Sequence, residues 1–277
     1  MLDLITRLRH GALRRLGMWQ LAGRAFRSFQ SHTGLPRSAF KKIGVYGPFL
    51  LSGRFAFSDY ASWGAGHNSG YVACVELSRG CRCVLDVGAH IGLVTLPVSR
   101  VVAPGGEVYA FEPAQANLHY LRAHIALNGL SNVTVVESLV GAEPRNEVPF
   151  FEQSGDSGLN TTADRGGELG FAPTTRRQVT LDGFCAERGL QPDVIKIDVE
   201  GAEVGVLRGA ERTLRSKRPT VILSVHPRQM LSLGATVEEL EQLLRELGYR
   251  ATTPDGGPAV SLKFGEYVLR HTLGGPQ

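Results

Sequence analysis

Seven short apolar runs mark the chain near residues 83–87, 108–111, 133–137, 193–198, 220–225, 249–253 and 266–270. Each is strand-length. Between them, apolar residues recur at helical spacing near 91–102, 114–128, 203–215 and 237–247. This alternation predicts a doubly wound, mostly parallel α/β sheet. Pro104-Gly105-Gly106 is a strong turn before the second strand. Thr236-Val237-Glu238-Glu239 reads as a helix start, with a capping hydroxyl and first-turn acids. Glu143–Asn146 followed by Val148-Pro149-Phe150-Phe151 suggests a turn and an edge strand. Residues 152–176 are polar and Gly-rich, too long for a plain connection, and are expected to form a loop near a substrate. Residues 43–80 read as short strands and loops. Within them Gly64–Gly70 reads as a mobile segment that either covers a ligand or links elements.

Two of these runs, each leading into a glycine turn, carry charges that a purely structural parallel strand would lack. Residues 194–203 read Val-Ile-Lys-Ile-Asp-Val-Glu-Gly-Ala-Glu. Lys196, Asp198 and Glu200 lie two apart and so share one face. Burying them is costly without partners or a task. The carboxyl end of a strand is where open α/β sheets place ligand chemistry. The second charged run, Val84-Leu85-Asp86-Val87-Gly88-Ala89-His90-Ile91-Gly92, is a strand entering a glycine turn ahead of an apolar helix. Such a turn offers close backbone approach and free N–H groups. Val108–Phe111 ends at Glu112-Pro113, 24 residues after Gly88, where an acid can accept from ribose hydroxyls. The turn is G-x-x-x-G, not the G-x-G-x-x-G of dinucleotide sites. That favours a nucleoside ligand without a pyrophosphate, S-adenosylmethionine (SAM) above all.

Leu85–Gly92, Phe111-Glu112-Pro113, Val179-Thr180-Leu181-Asp182 and Ile195–Glu203 together resemble the FkbM family of SAM-dependent methyltransferases, in that family's order and approximate spacing. The Lys-Ile-Asp-Val-Glu-Gly-Ala-Glu block is the specific part; the glycine turn alone signals only a class I methyltransferase. The resemblance spans roughly residues 80–272 and leaves the first 60 or so outside. It implies a class I, Rossmann-like fold and methylation of hydroxyl oxygens on polyketides, sugars or glycolipids. Two positions depart from the family: His90 stands where Asn is usual, and Ser224 where Glu is common, while His226-Pro227 match. The first change preserves a hydrogen-bond donor. The second alters the substrate pocket.

Composition adds boundaries. Residues 1–42 hold nine Lys or Arg against Asp3, a net +8, so the remaining 235 residues carry −4 of the chain's +4. Leu2, Ile5, Leu8, Leu13, Leu16, Trp19 and Phe26 recur there at roughly helical spacing. The segment reads either as a basic amphipathic helix on an anionic membrane surface or as a helix packed on the core or a second subunit, a homodimer. The chain thus divides into this extension (1–42), a lead-in or cover segment (43–80) and a methyltransferase domain (81–277). No run of 18 apolar residues and no apolar secretory segment is present. Cys74, Cys81, Cys83 and Cys185 lack paired C-x-x-C spacing and read as reduced thiols of a cytoplasmic protein, with peripheral contact at the inner membrane face left open.

The expected cofactor residues are Asp86, Gly88, Ala89, His90, Gly92, Glu112, Pro113 and Asp198, with Ser138 near the adenine at the third strand's end. The expected catalytic set is His226, Asp198, Lys196 and Glu200. Methyl transfer to a hydroxyl needs a proton removed, and His226, at the fifth strand's carboxyl end, suits that task, with Asp198 the competing base. Asp198 and Glu200 could serve a cation, but no second acidic pair is evident, so no metal is expected. The expected substrate is a small-molecule, glycan or lipid-linked hydroxyl. A nucleic-acid methyltransferase is disfavoured: there is no Pro-Pro-Tyr-type tetrapeptide, no Pro-Cys nucleophile and no basic aromatic platform. A non-catalytic partner protein with a SAM fold is the remaining rival.

Overall fold

The structure, a computed structural model, describes residues 38–65, 68–153 and 171–272. Most of the basic extension and the centre of the 152–176 segment lie outside the described residues. The chain divides into two compact units between Trp63 and Gly64, inside the 43–80 segment. In the first unit β1 (Ser38–Ile43) and β2 (Tyr46–Ser52) form an antiparallel hairpin, followed by a 3-10 turn over Gly53–Phe57. Ile43, Phe49 and Leu51 are its buried residues, and the Gly44 N–H donates to the Tyr60 carbonyl.

The second unit opens with α1 (Gly70–Leu77), a helix where loops were expected. Its sequence, GYVACVEL, is apolar at nearly every position, and Ser69 precedes it without a side-chain capping bond. Tyr71, Cys74 and Val75 bury one face. The strands β3 (Cys83–Val87), β4 (Glu107–Phe111), β5 (Val133–Val136), β9 (Val194–Ile197), β10 (Thr220–Val225), β11 (Tyr249–Thr252) and β12 (Gly265–His271) form one seven-stranded sheet in the order β11-β12-β10-β9-β3-β4-β5. All seven runs are therefore strands, within a residue or two of expectation. The pairs β5–β4, β4–β3, β3–β9 and β9–β10 are parallel, while β12 runs antiparallel to both neighbours. Strand order reverses between β3 and β9, and such a switch point opens a crevice at the strands' carboxyl ends.

Between the strands lie α2 (Thr95–Val101), α3 (Gln115–Leu127), α5 (Glu203–Arg208), α6 (Glu211–Lys217) and α8 (Val237–Glu246). The first starts four residues later than expected, because residues 91–94 form the turn that completes the glycine loop. The single helix expected over 203–215 is two. A Cβ at Gly209 would sit 2.0 Å from the Gly141 carbonyl oxygen, so this close approach ends α5 and a new helix starts beyond it. Two more helices, α4 (Leu181–Arg188) and α7 (Pro227–Ser232), were not anticipated. The first is capped by Thr180, whose hydroxyl accepts from the Gly183 N–H, and ends at Gly189 in the left-handed region. In α3, Asn117, Leu118, Leu121 and His124 form the buried face, so His124 is an interior residue.

A second sheet, in the order β6-β8-β7, joins β6 (Leu139–Val140), β7 (Arg145–Gln153) and β8 (Phe171–Val179). The edge strand expected near 148–151 is β7. Residues 171–176, expected in the substrate loop, are part of β8. Arg176 on β8 donates to the Pro113 carbonyl at 2.7 Å and pairs with Glu152, tying this sheet to the loop after β4. The four cysteines are free, and burial pushes the Cys74 and Cys83 thiols up to about 12. No helix of the described residues is long and apolar enough to cross a membrane.

The start of α8 is set by Thr236, whose hydroxyl accepts from the Glu239 N–H at 3.2 Å, while Leu240, Leu243 and Leu244 bury its inner face. Thr236→Ala should lower unfolding stability by about 1 kcal/mol in a denaturant titration, and Thr236→Ser should recover most of that loss.

Candidate functional site

The crevice is built from the carboxyl ends of β3, β4, β5, β9 and β10. Val87 leads into a loop in which the Gly88 and Ala89 N–H groups both donate to the Phe111 carbonyl, at 3.0 and 2.9 Å. Gly88 has φ +83, and a Cβ there would lie 1.9 Å from the Asp198 carbonyl oxygen. The glycine is therefore required first by the passage of the β9 backbone, and not by ligand approach alone. His90 also adopts a left-handed backbone, φ +52. Asn and His tolerate that region better than most residues, so His fits where the family uses Asn.

Glu112, at the end of β4, is 5% exposed. Its Oε2 accepts from the His90 N–H at 2.8 Å, and its Oε1 from the Ala114 N–H at 3.0 Å and Asn117 Nδ2 at 3.1 Å. Burial pushes its carboxyl above the ordinary range; these three hydrogen bonds and the nearby Lys196 charge oppose that. Glu112 thus pins the glycine loop as well as facing the expected ribose position. Ser138, beyond β5, is 3% exposed, and its hydroxyl is buried with no hydrogen-bond partner. An unmet buried hydroxyl beyond this strand's end suits a ligand that brings its own donors and acceptors. Pro113 offers its carbonyl to Arg176, as described above.

Beneath the crevice, β3 and β9 place Asp86 directly opposite Lys196. The Lys196 Nζ donates to the Gly88 carbonyl at 2.8 Å and lies 3.3 Å from Asp86 Oδ1 and 3.7 Å from Asp198 Oδ2. Thr95 Oγ1 donates to the other Asp86 oxygen at 2.6 Å. Burial pulls the Lys196 ammonium down, but Asp86 and Asp198 outweigh it and hold it charged. Lys196 is 6% exposed and engaged by these partners, so it braces the loop from below.

Above it, Asp198, Glu200 and His226 converge. His226 follows β10 and is 7% exposed. Its Nδ1 lies 2.7 Å from Glu203 Oε1. An ionised carboxylate only accepts, so Nδ1 carries the proton and, in the neutral ring, Nε2 presents its lone pair. That Nε2 points between Asp198 Oδ1 at 3.6 Å and Glu200 Oε1 at 3.7 Å. Burial lowers the imidazole's proton affinity; the Glu203 hydrogen bond and the Glu200 and Asp198 charges outweigh it, and the net shift is upward. Glu200 is itself pushed above the ordinary carboxylate range, first by burial. Its Oε2 accepts from Gln229 Nε2 at 3.0 Å. The Asp198 and Glu200 side chains remain 27% and 24% exposed, so the cluster faces the crevice.

All the expected site residues thus gather at one edge of the sheet. Three further residues belong with them. Glu203, fully buried, orients His226 and accepts from the Gly201 N–H at 3.1 Å. Glu266 on β12 is the cross-strand partner of Ser224; its carboxylate accepts from the Gly70 N–H at 2.6 Å and from the Ser224 hydroxyl at 3.4 Å. An acid therefore occupies the neighbourhood that Ser224 vacates, contributed by the adjacent strand. Phe264, 69% exposed, sets its ring edge-on to His226 at 5.8 Å between centroids. Only the β10–β12 pairing, a long-range contact without a local pattern, brings Phe264 and Glu266 here.

A parallel sheet reversing at β3/β9, a glycine loop pinned by a buried acid, and an acidic cluster beside it define a class I, SAM-dependent methyltransferase. Residues 86–251 match the methyltransferase FkbM domain, and the chain belongs to that family. It is 31% identical over 199 residues to methyltransferase sdnD of Sordaria araneosa, covering 61% of this chain and 74% of that protein. It is 27% identical over 202 residues to AMB antimetabolite synthetase AmbE of Pseudomonas aeruginosa, covering 61% of this chain but 10% of that much longer protein. Among solved structures, methyltransferase FkbM from Methylobacillus flagellatus aligns with TM-score 0.43 and 20% identity over 70% of this chain and 44% of that one.

Glu112→Ala should weaken SAM binding at least tenfold in calorimetry, through lost acceptors and a released loop, roughly 1.5–3 kcal/mol for hydrogen bonds to a charged group. Glu112→Gln, which keeps the shape, should lose less. Gly88→Val should abolish SAM binding, since its side chain would displace the Asp198 backbone; normal affinity in that variant would contradict the observed packing.

Proposed function

We propose that this methyltransferase modifies a hydroxyl oxygen of a sugar, glycolipid or polyketide-like metabolite. The observation that supports this reading is the convergence of Asp198, Glu200 and His226 on one partly open point beside the glycine loop. A hydroxyl is a poor nucleophile until its proton is drawn off as the new bond forms. Oxygen and imidazole acceptors clustered at one point suit that demand. SAM, when bound, supplies an electrophilic methyl on a sulfonium, and the sulfur keeps the electron pair as the methyl leaves. The chain's own residues do the rest. Glu112 and the glycine loop fix the nucleoside end. Lys196 holds Asp198 and the Gly88 carbonyl in place. The cluster seats the acceptor oxygen, and its proton is lost there.

Transfer of labelled methyl from SAM to a panel of sugars, glycolipids and polyketide alcohols tests this directly. The expected product is a methyl ether. His226→Ala should cut turnover by roughly 10²–10⁴, the range for a positioned proton-transfer group, with SAM affinity nearly unchanged, and Asp198→Asn should cut turnover at least as far. Methylation confined to nitrogen or carboxylate acceptors would overturn the reading.

The basic, amphipathic pattern of residues 1–42 supports a peripheral contact with anionic lipid as part of the same proposal. Full-length protein should bind anionic vesicles in a salt-sensitive way. Deleting residues 1–30 should remove that binding and spare SAM affinity. Indifference of the full chain to such vesicles would leave packing or dimerisation as the segment's role.

A further inference from the structure

We infer that Asp198, Glu200 and His226 form a binding site for one divalent cation of the Mn²⁺ or Mg²⁺ type. One donor atom from each lies within 4.8 Å of the other two. His226 Nε2 stands 3.6 Å from Asp198 Oδ1 and 3.7 Å from Glu200 Oε1. These separations are too long for hydrogen bonds. They exceed by about half an ångström the roughly 3 Å between adjacent donors of an octahedral ion, so the two partly exposed carboxylates would close on the ion as it binds. Two carboxylates and one imidazole form a mixed donor set of the kind that Mn²⁺ accepts.

A second observation is independent of the acids. His226 is more than nine-tenths buried, yet its Nε2 has no hydrogen bond at ordinary distance and points between the two carboxylates. Its other nitrogen is held by Glu203 at 2.7 Å. A carboxylate fixing the far nitrogen is the arrangement that orients and strengthens metal-ligating histidines. Glu203 in turn is locked by the Gly201 N–H. Gln229 holds the second oxygen of Glu200 at 3.0 Å, leaving Oε1 turned toward the cluster. Two carboxylates and an imidazole at one point carry a net negative charge that a dication would neutralise.

The cation's use in catalysis rests on the hydroxyl-methylation reading; its binding does not. An acceptor hydroxyl brought to the ion loses its proton more easily. The O–H bond breaks with the proton passing to water at the crevice mouth. The oxygen's electron pair forms the bond to the methyl carbon as the carbon–sulfur bond breaks, and sulfur retains that pair. His226 Nε2 then acts as a ligand, and the ion takes over the task of promoting proton loss.

The test is Mn²⁺ binding to the full chain, followed by electron paramagnetic resonance and calorimetry, without SAM and with it. One ion per chain is expected. Asp198→Asn, Glu200→Gln and His226→Gln should each weaken it at least tenfold, while Glu203→Gln should weaken it by roughly 10–100-fold, the usual cost of losing an orienting partner. Circular dichroism and a cooperative thermal transition like those of the unmodified chain report that the variants are folded. Absence of stoichiometric Mn²⁺ binding to the unmodified chain at millimolar ion would overturn the site, whatever the variants do. So would binding that survives in all four variants. Turnover on hydroxyl acceptors that persists unchanged after chelation would remove the cation from catalysis and leave hydroxyl methylation standing. Stoichiometric Mn²⁺ lost in the variants, with no hydroxyl acceptor methylated, would keep the site and remove the acceptor reading.

Discussion

The buried ammonium of Lys196 is the interaction on which the rest of the site depends. It sits where β3 and β9 run side by side, at the point of strand-order reversal. A charge taken out of water there costs several kcal/mol unless it is well paired. Asp86 opposes it across the strand pair, Asp198 approaches from above, and the Gly88 carbonyl takes a hydrogen bond. One cation thereby fixes three things at once: the register of the two central strands, the path of the glycine loop, and the position of an acid in the crevice. Replacing it with an apolar side chain would leave Asp86, 1% exposed, as an uncompensated buried charge. The charges that mark residues 194–203 in sequence are a connected device, not separate site residues.

Much of this was legible because it is local. The seven strands announced themselves as short apolar runs, and period-two spacing put Lys196, Asp198 and Glu200 on one face. Glu112 and His226 could be placed because each follows directly on a strand end. What was hidden is what depends on other parts of the chain. The α5/α6 break follows from Gly141 passing Gly209, which no pattern in 203–217 encodes. α1 is short and apolar nearly all round, so its period was invisible. Thr180 and Gly189 did carry the start and stop of α4, and were legible as such. Phe264 lies just before, and Glu266 on, the antiparallel strand β12, whose pairing with β10 brings them to the site. His226's third-ligand geometry emerges only when β9 and β10 pair, which is why two carboxylates alone suggested no cation.

The two loops that make the crevice share one construction. Each carries a non-glycine residue in the left-handed region, His90 at φ +52 and Glu200 at φ +50. Such conformations cost on the order of 1–3 kcal/mol and persist only when their surroundings over-determine them. In each case a buried carboxylate further along the chain supplies that constraint. Glu112 accepts from the His90 N–H itself, and Glu203 accepts from the Gly201 N–H, one residue beyond Glu200. Both acids also have a second task, Glu112 toward Asn117 and the cofactor side, Glu203 toward His226.

Coupling loop conformation to side-chain placement in this way has a physical consequence. A strained residue relaxed by losing its anchor would turn its side chain out of the crevice, so the anchors set function as firmly as the groups that face the ligand. The anchors are also well buried, at 5% exposed for Glu112 and 0% for Glu203. Burial shields them from water's competition and makes each hydrogen bond count for more. Asp198 and Glu200, which face the crevice, stay about a quarter exposed. The gradient from buried anchor to half-open donor follows from the two jobs: a group that holds a backbone must be dry, and one that receives an acceptor must be reachable.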